Sequence, residues 1–143
     1  MFDKYGNYYI GQFKDNLPNG KGILYNKNGN ILYEGEYVNI KREGKGKCIF
    51  EDGKYYIGQF NDDLLNGKGI LYYKNGYILY EGEFVNGKRE GQGKYFDEFG
   101  TYYDGQWKNN LKNGQGKICL PNGIIIYEGN FMNDKTNLNC VIN

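Results

Sequence analysis

The chain has 143 residues, a mass of 16.5 kDa and a net charge of +1 from 18 basic and 17 acidic residues. It holds 23 Gly, 16 Tyr, 8 Phe and 20 Asn, and no Ala, Ser or His. The length fits one domain, the missing Ser and His exclude Ser-His-Asp and Cys-His nucleophilic sites, and charge spread without blocks excludes the basic footprint of a nucleic-acid binder.

Other classes fall for related reasons. Cys48, Cys119 and Cys140 are far apart and form no C-x-x-C pair, so neither a metal site nor a disulfide framework is expected. The N-terminus, Met1 to Gly6, lacks a secretory apolar core, and no apolar run approaches a membrane span. A cytoplasmic location is expected. Gly costs about 1 kcal/mol per helical position relative to Ala, so the chain should be all-β. The 17% aromatic content opposes disorder.

In chain order, residues 1–7 read as half a repeat, because Phe2 to Tyr9 align with Phe96 to Tyr103. The first full unit opens at Tyr9-Ile10-Gly11-Gln12-Phe13. Its Tyr-x-Gly-x-aromatic pattern returns at Tyr33 to Tyr37, Tyr56 to Phe60, Tyr80 to Phe84, Tyr103 to Trp107 and Tyr127 to Phe131, with spacings of 24, 23, 24, 23 and 24 residues. Nine residues after each central glycine, up to the fifth unit, comes a Gly-x-Gly pair, and a turn glycine follows. Alternating spacing implies a larger unit of 47 residues, and residues 8–54 match residues 55–101 at 34 of 47 places.

Each unit predicts two strands of five or six residues. Asn28-Gly29, Asp52-Gly53, Asn75-Gly76 and Asn122-Gly123 predict tight hairpin turns from one unit to the next. Side chains alternate across a strand, so Tyr56, Gly58 and Phe60 share one face. The simplest pairing lays these rings on the bare glycines of the return strand. On the other face, Glu34, Glu36, Lys45 and Lys47 predict exposed cross-strand charge pairs. Tyr8, Ile10, Ile23 and Tyr25, then Tyr55, Ile57, Ile70 and Tyr72, with Tyr102 beyond, make an apolar stripe every second hairpin, a candidate dimer surface. One hairpin buries too little to stand alone, so neighbours must stabilise each other.

With Tyr80-Glu81-Gly82-Glu83-Phe84 leading to Gly91-Gln92-Gly93-Lys94, and five copies in register, the chain resembles the MORN (membrane occupation and recognition nexus) repeat family from residue 8 to residue 131. The resemblance implies an elongated, twisted single-layer antiparallel sheet of about six consecutive hairpins. On that reading residues 1–143 are one array, with five full repeats over 8–126 and a partial or capping repeat over 127–143. Leu138 and Cys140 stand there where Gly-x-Gly should be. Either these ends are degenerate caps or a longer array has been cut.

The family implies a non-catalytic scaffold or adaptor that needs no cofactor or small-molecule substrate. A peptide or helix of a protein partner would lie in an aromatic groove formed by Tyr9, Phe13, Tyr33, Tyr37, Tyr56, Phe60, Tyr80, Phe84, Tyr103, Trp107, Tyr127 and Phe131. A single sheet has no second layer to cover these rings, so part of that face is expected to stay exposed. Self-association, peripheral membrane contact and a place near the cytoskeleton are further implications. The alternatives are a regulatory module of a larger enzyme, such as a lipid kinase or methyltransferase, and a phospholipid-binding module. Cys140-Val141-Ile142-Asn143 also fits a C-a-a-X prenylation pattern at Cys140. The glycine-rich stretches lack the Gly-x4-Gly-Lys-Ser/Thr of a phosphate loop.

Overall fold

The computed structural model describes residues 1–136, so the Cys140 pattern and the return strand expected at Leu138 and Cys140 lie outside the described residues. The chain forms β1 (Tyr8–Lys14), β2 (Leu17–Tyr25), β3 (Ile31–Val38), β4 (Lys41–Ile49), β5 (Tyr55–Asn61), β6 (Leu64–Tyr72), β7 (Ile78–Val85), β8 (Lys88–Phe96), β9 (Tyr102–Lys108), β10 (Leu111–Cys119), β11 (Ile125–Met132) and β12 (Lys135–Thr136). All twelve lie in one open sheet in sequence order, each antiparallel to the next. The all-β class, the single layer and the hairpin repeat are therefore as the sequence implies. β1 to β11 run for seven to nine residues, longer than the five or six expected.

Two kinds of turn alternate, and the sequence misplaces the tighter one. Within a hairpin the turn has two residues, both at positive φ: Asp15 and Asn16, Asn39 and Ile40, Asp62 and Asp63, Asn86 and Gly87, Asn109 and Asn110, Asn133 and Asp134. Between hairpins only the glycine has positive φ, as at Gly29 (+86°), while Asn28 does not. There the Gly29 N–H donates to the Asn26 carbonyl at 3.0 Å and the Asn26 N–H to the Asn30 carbonyl at 2.8 Å. That is a turn closed by a glycine bulge. Asn28-Gly29 and its counterparts thus mark the wider connection, while the tight turns open on Asn or Asp and, except at Asn86-Gly87, contain no glycine.

The tight turns hang on the preceding hairpin. The Asn86 N–H donates to the Asn66 side-chain oxygen at 3.1 Å and the Gly87 N–H to the Leu65 carbonyl at 2.8 Å. Asn19 and Asn113 repeat the first contact, and Glu43 and Glu90 make it in the alternate hairpins. This Asn/Glu alternation follows the 47-residue unit.

The hairpin β3–β4 carries two defects that its duplicate β7–β8 lacks. Ile40 sits at φ +70° where the duplicate has Gly87, and a β-branched residue there costs about 1–2 kcal/mol. The Tyr37 hydroxyl is, among the described residues, the buried side-chain polar atom without a hydrogen-bond partner, and the duplicate has Phe84. Ile40→Gly and Tyr37→Phe are each expected to stabilise the chain by about 1 kcal/mol. Urea unfolding checks this, and a lower midpoint in either variant would refute the corresponding reading.

Candidate functional site

The ring face is built around the Tyr-x-Gly-Gln/Glu motif, as the third hairpin shows. Gly58 pairs with Gly69 and Phe60 pairs with Leu65, so Gln59 stands alone against the three residues Asn66 to Lys68. The Tyr56 ring lies flat across this break, and its hydroxyl donates to the Gln59 carbonyl at 2.9 Å. From the other face, the Gln59 side-chain oxygen accepts the Lys68 N–H at 3.3 Å. Gly67, at φ +97°, gives the backbone reversal that the break requires. A Cβ on Gly69 would collide with the hydroxyl end of the Tyr56 ring, meeting Oη, Cε2 and Cζ, so the expected seat of ring on glycine is what the structure shows.

Glu36 and Glu83 occupy the Gln59 position in the alternate hairpins and accept the N–H groups of Lys45 and Gln92. This corrects the expected charge pairs. Glu34 does stand opposite Lys47, but neither Glu34 nor Glu36 forms an ion pair with Lys45 or Lys47. Lys47 Nζ instead sits 4.8 Å from the Tyr55 ring centre.

The rings interlock edge to face along the sheet. Tyr33 meets Tyr37 in its own strand at 5.1 Å and Phe60 of the next hairpin at 5.2 Å. Tyr9 meets Tyr37, Tyr56 meets Phe84, Tyr80 meets Trp107 and Tyr103 meets Phe131 in the same way. Such pairs add about 0.5–1.5 kcal/mol each beyond area burial. The Arg89 guanidinium covers Trp107 at 4.5 Å, and Arg42 covers Phe60 at 5.2 Å while its Nε donates to Asp63 at 2.6 Å. Burial pushes the Tyr33, Tyr56 and Tyr103 hydroxyls up to about 12, and Tyr37 and Tyr80 higher still.

This packing narrows the expectation that part of the ring face stays exposed, because most of the rings are covered. Tyr9, Tyr33, Tyr37, Tyr56, Phe60, Tyr80, Phe84, Tyr103, Trp107 and Phe131 are all at most 5% exposed and form the core itself. Tyr127 is half-buried, and Phe13 is 48% exposed, touching only Tyr9 among the aromatic rings described. The rings are tiled on the sheet, and their neighbours form the surface above them. Between β5 and β9 that surface dips into a hollow of about 810 Å³, lined by Leu65, Leu71, Leu79, Phe84, Arg89 and Tyr95, with the Phe50 to Lys54 connection at its rim.

Apart from Phe84, these lining residues were not singled out from the sequence. Leu65 and Arg89 lie beyond the short strands expected, although their alternation with Gly67 and Gly91 points them to the ring face. Leu79 could not be found by alternation. Leu71 pairs with Tyr80 and Tyr72 with Ile78, so Leu79 is an extra residue turned inward. It is 8% exposed.

The opposite face has the expected stripe. Tyr8 stacks on Tyr25 at 5.0 Å, Tyr55 on Tyr72 at 4.7 Å, and Tyr102 tilts against Phe96 at 5.2 Å. Ile10 and Ile57 are exposed and lie in hollows of about 560 and 530 Å³. Among the described residues no three Cys, Asp or Glu side chains converge as metal ligands, and no helix is long and apolar enough to cross a membrane.

The family model of the MORN repeat matches residues 9–31, 33–55, 56–76, 80–97 and 103–125. Among curated proteins, "Inactive protein tyrosine kinase pTKL" of Plasmodium berghei (strain Anka) is 46% identical over 46 residues, 32% of this chain and 3% of that protein. The matched segment is thus a small part of that relative.

Proposed function

We propose that this chain, which belongs to the MORN repeat family, is a non-catalytic scaffold that holds an apolar helix or extended segment of a protein partner on its ring face. The observation that carries this reading is the hollow over β6 to β8, where Leu65, Leu71, Leu79 and Tyr95 offer an apolar floor and Arg89 a fixed charge. The buried tyrosines make that floor rigid, which reduces the ordering cost of binding. The partner therefore touches the second-strand residues more than the rings. A place near a membrane or cytoskeletal structure rests on the family alone.

A cross-linked pull-down from the native cells, read by mass spectrometry at low and high salt, tests this. A near-stoichiometric protein should survive high salt on the native chain and be lost on Leu65→Asp, with melting curves confirming that the variant folds. Equal capture by both would refute the hollow as the site, and recovery of lipids alone, lost at high salt, would move the reading to a membrane surface. The partial likeness to a much longer inactive kinase favours a second reading, in which such hairpins serve as a module within a larger protein.

A further inference from the structure

The face opposite the rings has a pattern of its own. Ile10, Ile23, Glu34, Lys47, Ile57 and Ile70 stand side by side on β1 to β6, each the register partner of the next. Read across the strands, the row is two apolar residues, an acid, a base and two apolar residues. A two-fold axis parallel to the strands, set between β3 and β4, maps this row onto itself. Such an axis keeps each residue at its height along the strand and exchanges β1 with β6, β2 with β5 and β3 with β4.

We propose that this face binds a second copy of the same chain through that axis. Ile10 then meets the second copy's Ile70, Ile23 meets its Ile57, and Glu34 meets its Lys47. In the neighbouring rows Glu36 meets Lys45, and Tyr8 and Tyr25 meet Tyr72 and Tyr55. No like charges oppose each other, and no apolar side chain faces a charge in the row. Another two-fold, set between β5 and β6, also matches some charges, but it lays Ile23 on Asp104 and Ile10 on Lys117. The observations favour the axis between β3 and β4 because the stripe stays whole.

The inference stands on the face opposite the proposed partner hollow and does not depend on that reading. Glu34, Lys47, Ile10 and Ile57 are all exposed. The intrachain contacts leave Glu34 without an ion-pair partner among the described residues. Six strands at about 4.8 Å and three rows at about 7 Å give roughly 600 Å² of flat face per copy. That lies at the low end of specific interfaces, so a reversible, concentration-dependent dimer is expected. Both ring faces stay outward, and the pair offers two partner hollows.

Sedimentation of the full chain from about 1 to about 200 µM tests this. The native chain should shift from 16.5 kDa to twice that mass. Glu34→Lys places two like-charge contacts at the axis and should weaken the dimer by about 100-fold. Glu34→Lys combined with Lys47→Glu should restore it, whereas the axis between β5 and β6 would leave the double variant as weak as the single. If Glu34→Lys does not fold, Lys47→Glu makes the same test from the other side. A native chain that stays monomeric, a dimer indifferent to the single reversal, or a double variant no tighter than the single would each overturn the proposal.

Discussion

Gly69→Ala is expected to lower stability by about 2–4 kcal/mol, although it adds one methyl group. The Tyr56 ring is fully buried across Gly69 and is held edge to face by Phe60 and Phe84, both at 5.3 Å. Its hydroxyl is fixed on the Gln59 carbonyl at 2.9 Å. A Cβ that collides with the bonded hydroxyl end of that ring cannot be met by a small rotation. Overpacking costs about 1–3 kcal/mol, and losing the hydroxyl's bond adds about 1. Gly123→Ala is the contrasting case: Gly123 sits at φ +90°, in the region that strains a side chain, which Gly69 does not, but a Cβ there meets nothing within 4 Å. It should cost about 1 kcal/mol. A cycle with Tyr56→Leu decides the cause, because a smaller side chain makes room for the methyl. Additivity of the two changes within about 0.5 kcal/mol would show that ring and glycine are not coupled.

Trp107→Ala should cost about 3–5 kcal/mol and, more tellingly, cost it locally. Trp107 is 4% exposed. It joins two hairpins: its ring meets Tyr80 of β7 at 5.5 Å and Tyr103 of β9 at 5.2 Å, and its Nε1–H donates to the Gly93 carbonyl of β8 at 3.0 Å. In a sheet whose strands pair only with chain neighbours, removing that link weakens one boundary and leaves the others intact. Amide exchange should then accelerate through β9 to β11 while β1 to β6 keep their protection, and urea unfolding should separate into two steps. Uniform loss of protection, with one sharp transition, would show that the array folds as a single unit.

The fold was almost fully readable because its repeat repays each residue type with one physical task. Tyr56 and Gly69 specify strand, face and register together, and the pairing of large ring with missing Cβ needs no tertiary knowledge. What could not be read was the fate of the rings. Alternation tells which face Tyr33 occupies, but not that Phe60, arriving from the next hairpin, closes over it. The turns were half legible: the glycines mark positive φ correctly, yet Asp62-Asp63 takes the tight turn without one because its N–H groups are held by Glu43 and Arg42 of the hairpin before. Leu79 shows the limit of periodicity, since one extra residue reverses its face.

The strictly sequential strand order has a consequence for how the chain comes into being. No strand waits for a partner made much later, so every new hairpin emerging from the ribosome finds its dock already finished. Ordering entropy is met in small instalments and contact order stays low. Synthesis halted at any hairpin boundary would leave a shorter sheet ending in the same kind of edge, ready to receive the next unit.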